Sequence, residues 1–228
     1  MISVLPVMGL PEVRPGDEIA DLILECAQVE DGDVVVVTQK IVSKAEGRLE
    51  RVVDDDDRLR LIERESVRIL RRRDELLITE TAHGFVCANA GVDVSNVDEG
   101  MAALLPVDAD RSARHIRDAI QARTGRRVAV VVSDTFGRTW RRGLVDVALG
   151  CAGIAAVVDL RGSTDTRGRT LQATEVAVVD EVAAAAELVM GKDSSCPVAI
   201  VRGLEQRWLR EGSVGDEIVR PHGEDLFR

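Results

Sequence analysis

The chain has 228 residues, and 30 Lys and Arg against 40 Asp and Glu leave a formal charge of −10. That balance points away from a nucleic-acid surface, and three Phe, two Trp and no Tyr are too few for a base-stacking platform. At roughly 150 residues per domain the length suits one large domain or two small interlocked ones, with ample chain to bury a core, so neither disulfides nor a structural metal is needed.

The four cysteines, Cys26, Cys87, Cys151 and Cys196, lie far apart, form no C-x-x-C pair and sit among apolar or small residues. They read as reduced, mostly buried thiols of a cytoplasmic protein. The first residues show no basic leader, so no signal peptide is expected. The longest low-polarity stretch, 147–158, falls short of the ~18 apolar residues of a membrane-spanning helix, and a soluble chain with no membrane partner is expected.

Residues 2–7 read as a short strand, followed by the Gly- and Pro-rich loop GLPEVRPGD. Asp17 is the expected N-cap of a helix that carries Ile19, Leu22, Ile23, Cys26 and Val29 at helical spacing and ends at the turn 30–33. The apolar run 34–37 is a buried strand. Four acids at 54–57 then open an Arg-rich amphipathic segment, 58–73, and acids first with bases last suit a single helix and its dipole. On that reading Arg71, Arg72 and Arg73 form a solvated helix end, with an anion site as the alternative.

Further on, 76–79 and 85–88 read as strands around His83-Gly84, 112–124 as a helix, 127–132 as a buried strand and 134–143 as a loop. A lone His beside Gly is read as structural. Gly150 and Gly153 blur the small, apolar stretch up to 158, and a polar loop at 161–169, a helix at 175–190 and a buried strand at 198–201 follow. Strands and helices mix with no βαβ rhythm, repeat or low-complexity linker. The expected fold class is therefore α+β, with 1–228 as a single domain.

Three motifs carry chemistry. In VAVVVSDTFGRTWRRG an apolar strand ends in Ser133, Asp134 and Thr135, oxygen donors on a rigid support that suit Mg2+ or Mn2+. Arg138, Arg141 and Arg142 beyond them can grip phosphate or carboxylate groups. An Asp capping a turn and arginines on a solvated rim would give the same pattern. In GFVCANAGVDVSNV, Gly91 permits close backbone approach to a ligand, Asp93 offers a second carboxylate and Asn96 can read a base or sugar, although Asx-rich turns look alike. In TQKIVSKAEGR, Lys44 can reach a phosphate and Gly47 allows a tight turn. The sequence has no P-loop and no G-x-G-x-x-G. Two separated acids, a lysine and an arginine cluster together suit metal-assisted phosphoryl transfer.

The blocks LPVMGLPEVRPGD, EDGDVVVVTQKIVSKAEGR, CANAGVDVSNVDEG, VVSDTFGRTWRRG, RGRTLQATEVAVVDEVAAAAELVMG and VAIVRGL, in this order, resemble the coenzyme F420:L-glutamate ligases, or F420-0:γ-glutamyl ligases, along essentially the whole chain. The resemblance implies an α+β fold of two closely connected parts, an intertwined homodimer, GTP as a substrate, and Mg2+ or Mn2+ as cofactors with K+ as a further candidate. It implies joining L-glutamate to the carboxylate of F420-0, and then to the γ-carboxyl of the glutamate just added, through an acyl phosphate. Carried over by motif, Gly9, Leu10, Pro11 and Glu12 line the nucleotide, with Gln39, Lys44 and Asn96 in the same set and Lys44 on the phosphates. Asp93, Asp134 and Thr135 would hold the metals, and Asp93 and Asp134 would be the catalytic acids. Some members have an acid after the Met-Gly of MGKDSSCP where this chain has Lys192, with Asp193 a stand-in. In some bacteria the unit is the front half of a longer protein whose rear half resembles a flavin-binding nitroreductase, but nothing in this sequence suggests flavin binding. Two rivals are a catalytically silent nucleotide-binding or dimerisation module, which Gln39 and Lys192 could favour, and a ligase of the same chemistry acting on another phosphorylated carboxylic acid.

Overall fold

The computed structural model describes residues 1–226. In chain order the elements are β1 (Ser3–Pro6), α1 (Ile19–Cys26), β2 (Val34–Thr38), α2 (Gln39–Ala45), β3 (Leu49–Arg51), α3 (Asp55–Arg64), β4 (Ser66–Arg73), β5 (Leu76–Thr81), β6 (Val86–Ala88) and β7 (Met101–Ala103). They continue with α4 (Ala109–Thr124), β8 (Ala129–Gly137), β9 (Leu144–Ala152), β10 (Val158–Asp159), β11 (Glu175–Val176), α5 (Val178–Met190), β12 (Val198–Arg202) and α6 (Val214–Glu217).

A five-stranded sheet in the order β1-β12-β2-β8-β9 forms the centre. Only β2 and β8 run parallel; the other neighbours are antiparallel. This arrangement agrees with α+β and not with a doubly wound sheet. The run Val34–Val37 is apolar throughout because both faces of β2 are covered. Val35 and Val37 join Ile23 of α1 and Ile116 and Ile120 of α4 in one core, whereas Val34 and Val36 meet Val179, Val182 and Ala186 of α5 in another. A third, smaller core of Leu61, Ile62, Leu77, Ala90, Val92, Ala102 and Leu104 lies under α3, the β4-β5-β6 sheet and the β3–β7 pair.

Four sequence expectations need correction. Asp17 does not cap α1: Glu18 holds the N-cap position, while Asp17 accepts a hydrogen bond from Arg14 N at 2.7 Å within the preceding turn. The segment 58–73 is not one helix. Its acids do open α3, where the Asp54 side chain accepts from Asp57 N at 2.8 Å, but the helix ends at Arg64 and the rest is strand β4. Pairing with β5 decides the matter, since it turns a segment with β-branched Val67 and Ile69 into half of a hairpin. The stretch 134–143 is not all loop either, because β8 continues to Gly137 and the connection shrinks to 138–143. Finally, α5 begins at Val178, and Glu175–Val176 pair with β10 instead.

The four cysteines are free; Cys26 is half-buried and the other three are buried. His83 is structural: Nε2 lies 3.0 Å from the Val107 carbonyl and the ring stacks on Phe85. Among the described residues no helix is long and apolar enough to cross a membrane.

Candidate active site

At the ends of β2 and β8, a cleft of about 570 Å3 opens between the loop after β1, the start of α2, the segment around Asp93 and the chain leaving α5. A defect in strand pairing sets its floor. Val132 pairs with Gly150 but Ser133 pairs with Ala148, so Leu149 is an extra residue on β9. Asp180 of α5 accepts a hydrogen bond from Ala148 N at 2.9 Å, tying this bulge to the helix. Beyond the bulge Thr135 stands opposite Asp146. Asp146 is buried, and its carboxylate accepts hydrogen bonds from Ser133 Oγ at 2.9 Å and Thr135 Oγ1 at 2.7 Å. Because Thr135 donates its proton to Asp146, the oxygen keeps its lone pairs for another partner.

Asp134 lies between these two hydroxyls in sequence and lines the cleft. Burial, together with the charges of Asp93 and Asp146, pushes its carboxyl up to about 7, against a hydrogen bond from the Thr135 backbone and the charge of Lys192. Asp93 behaves in the opposite way. Burial disfavours its charge, yet Lys40 Nζ at 2.9 Å and Ser95 N at 2.7 Å hold its carboxyl below the ordinary carboxylate range. Lys40 also donates to Ser95 Oγ at 2.8 Å. Lys44 forms an ion pair with Glu12, and Leu10, Pro11 and Asn96 line the same cleft.

The chain matches the model of the F420-0:Gamma-glutamyl ligase family over residues 8–203. The chain belongs to this family. It is 43% identical to the coenzyme F420:L-glutamate ligase of Methanothermobacter thermautotrophicus, covering 100% of this chain and 99% of that protein. The proteins of the same name from Methanopyrus kandleri and Archaeoglobus fulgidus are 42% and 41% identical, over 100% of this chain and 98% and 96% of theirs.

In this F420-0:γ-glutamyl ligase family member, the structure gathers Leu10, Pro11, Glu12, Lys44, Asp93, Asn96, Asp134 and Thr135 around one cleft. Other expected residues lie elsewhere. Gly9 is not among the lining residues and serves as a turn at φ +86°. Gln39 is buried, its amide donating to Ser43 Oγ at 2.6 Å and to the Leu104 carbonyl at 2.9 Å, so its side chain braces α2 and does not face the cleft. Gly91 permits close approach to Leu105 and not to a ligand: a Cβ there would lie 2.6 Å from that side chain. Arg138, Arg141 and Arg142 are exposed on the β8–β9 turn and do not line the cleft, and Arg138 donates to the Arg142 carbonyl at 2.6 Å.

Sequence reading missed Lys40, Asp146 and Glu187, all of which line the cleft. Asp146 had a usable signal, a lone acid within the apolar LVDVALG stretch. Lys40 and Glu187 had none, since single charges on helices are ordinarily solvated.

The donor set fits a hard divalent cation: two carboxylates, Asp93 and Asp134, and the Thr135 hydroxyl with its lone pairs free. Among the described residues no three His, Cys, Asp or Glu are grouped as a ready-made metal cage. Mg2+ ordinarily takes one or two carboxylates and completes its shell with substrate phosphates and water, so the two observations agree.

Proposed function

We propose that this chain joins L-glutamate to coenzyme F420-0 at the expense of GTP, and extends the product by further γ-linked glutamates. The observation that carries this reading is the single cleft in which Asp93, Asp134, Thr135 and Lys44 meet, in a chain similar over its full length to proteins named coenzyme F420:L-glutamate ligase.

An amide does not form from a carboxylate and an amine at neutral pH without a leaving group. The acceptor carboxylate attacks the γ-phosphorus of GTP, GDP departs, and an acyl phosphate results; the amine of glutamate then attacks the carbonyl carbon and expels phosphate. Asp93, Asp134 and Thr135 would hold Mg2+ or Mn2+, which supplies charge neutralisation for the triphosphate. Leu10 and Pro11 form a wall for the nucleotide, and Lys44 exchanges Glu12 for a phosphate oxygen. Asp146 fixes the Thr135 hydroxyl through its 2.7 Å hydrogen bond.

A homodimer belongs to the same reading. Exposed Val67, Ile69, Leu76 and Val86 on the outer sheet support it, because a second copy would cover them. Sedimentation tests this, and a fully active monomer would contradict it.

The deciding experiment is mass spectrometry of products from F420-0, L-glutamate, GTP and Mg2+ or Mn2+, with oxygen-18 in the acceptor carboxylate. A glutamyl product with label in the released phosphate is expected. No product in the presence of bound GTP would favour a silent module, and turnover only with other phosphorylated carboxylic acids would move the substrate. Label absent from phosphate would remove the acyl phosphate.

A further inference from the structure

Glu187 sits in the last turn of α5 and lines the cleft. Nothing structural rewards a carboxylate there. The C-terminal end of a helix carries partial negative charge, which disfavours an acid, and α5 has no basic residue in its last turn. Among the described residues no hydrogen bond or ion pair is formed by the Glu187 carboxylate: Lys40, Lys44, Ser133 and Thr135 of the same cleft are engaged with Asp93, Glu12 and Asp146, and Lys192, the remaining lysine of the cleft, forms no ion pair with it. Burial and the neighbouring Asp146 charge raise its proton affinity, and Lys192 tempers the effect. A half-buried acid kept unpaired and electrostatically disfavoured, at the wall of a reaction cleft, is a proton acceptor by construction.

The ligase reading leaves one such task unassigned. The incoming amino group of glutamate arrives as an ammonium ion and has no lone pair with which to attack. We propose that Glu187 is the general base that takes this proton. The carboxylate of Glu187 accepts one proton from the ammonium, the freed nitrogen lone pair forms the C–N bond, the C–O bond to phosphate breaks with its electron pair leaving on phosphate, and the second nitrogen proton passes to the departing phosphate, which leaves as hydrogen phosphate. The inference rests on the proposed ligase reaction and adds a residue to its second half only.

The test separates the two halves by changing the nucleophile. Hydroxylamine is uncharged at neutral pH, attacks acyl phosphates and needs no base to free its lone pair. With F420-0, GTP and Mg2+, Glu187→Gln should lose roughly 100-fold or more in kcat for the glutamyl product. The same variant should form the hydroxamate of F420-0 from hydroxylamine at close to the wild-type rate, and Glu187→Asp should recover part of the glutamate reaction. Equal loss of both products would place Glu187 in the phosphoryl step or in the fold and overturn the proposal. So would an unchanged glutamate rate, or a change confined to the KM for glutamate, which would make Glu187 an ammonium-docking group. Wild-type protein that yields neither product would instead overturn the ligase reading itself.

Discussion

The molecule contains two long hairpins that solve opposite problems. The inner one, β8–β9, lies at the edge of the central sheet with most of both strands buried; the outer one, β4–β5, carries exposed side chains along most of β4. Both have irregular pairing. The inner bulge is tied down by a side chain from another element, Asp180 on Ala148 N, while the outer hairpin shifts register twice, between Ser66 and Arg68 and between Ile69 and Arg71. A carboxylate can be aimed to a fraction of an ångström only where its strand is fixed from both sides, and of the two hairpins the inner one meets that condition for the proposed chemistry.

The largest effect expected from breaking this contrast is at Asp134. Asp134→Asn removes a charge without changing side-chain size, and glutamyl transfer should fall by at least 10²–10³-fold, on the order seen for losing one transition-state electrostatic contact. Circular dichroism should show the fold retained. Asp93→Asn should behave similarly, and the double variant should lose less than the two effects combined if both acids serve one cation. Near-wild-type turnover of Asp134→Asn at saturating Mg2+ would remove it from the site.

Next in size is a purely steric test of the inner hairpin. Gly150 of β9 lies against the start of α4, and an added Cβ would stand 2.1 Å from the Ala109 carbonyl carbon and 2.4 Å from its oxygen. Backbone cannot step aside as a side chain can, so Gly150→Ala should lower stability by about 3 kcal/mol or more in denaturant melts. Arg73→Ala on exposed β4 should stay within about 0.5 kcal/mol. Comparable losses at the two positions would erase the distinction between the hairpins.

How much of this was legible in the sequence follows the same contrast. Where burial on both faces dictates composition, as in Val34–Val37 and the run leading to Val132, strands could be read directly, and so could the polar residues that end them. Asp134 and Thr135 on β8 stood out for that reason, whereas Asp93, beyond β6, and Lys44, in the last turn of α2, were singled out by their motifs. β4 was misread because alternating Arg and apolar residues after an acidic N-terminus satisfy a helix as well as they satisfy an edge strand, and only pairing with β5 decides. Gln39 was misassigned because its neighbours in sequence face the cleft, whereas its amide bridges to Leu104, 65 residues away. Asp180 and Glu187 are seven residues apart on α5; one is bonded to the bulge and the other lines the cleft, and no local pattern marks either.

A smaller effect concerns pH. With its carboxyl pushed from 3.8 to about 7, Asp134 keeps a proton in the folded chain that the unfolded chain has already released. Between those two values the folded state binds more protons, so this group makes stability fall as pH rises, with the full penalty reached above about 7. In metal-free buffer, the stability of wild-type protein minus that of Asp134→Asn should therefore decline from pH 4 towards pH 7. Adding Mn2+ should recover the loss at the upper end, because the cation favours the ionised carboxylate. A flat difference curve would mean that solvent reaches Asp134 freely.

The smallest expected effect is on the outer hairpin. Arg71, Arg72 and Arg73 admitted an anion-site reading, and the structure places them on β4, the edge of its sheet, exposed and away from the cleft, with Arg71 donating to the Leu70 carbonyl at 2.7 Å. Charges on an edge strand discourage pairing with other chains and contribute little to folding. Arg72→Ala should accordingly change stability by no more than about 0.5 kcal/mol and leave the KM for GTP and for F420-0 unaltered. The informative result is the opposite one. A rise in KM for either substrate would mean that this strand reaches an anion in the working assembly, and the outer hairpin would then share in the chemistry that its exposure argues against.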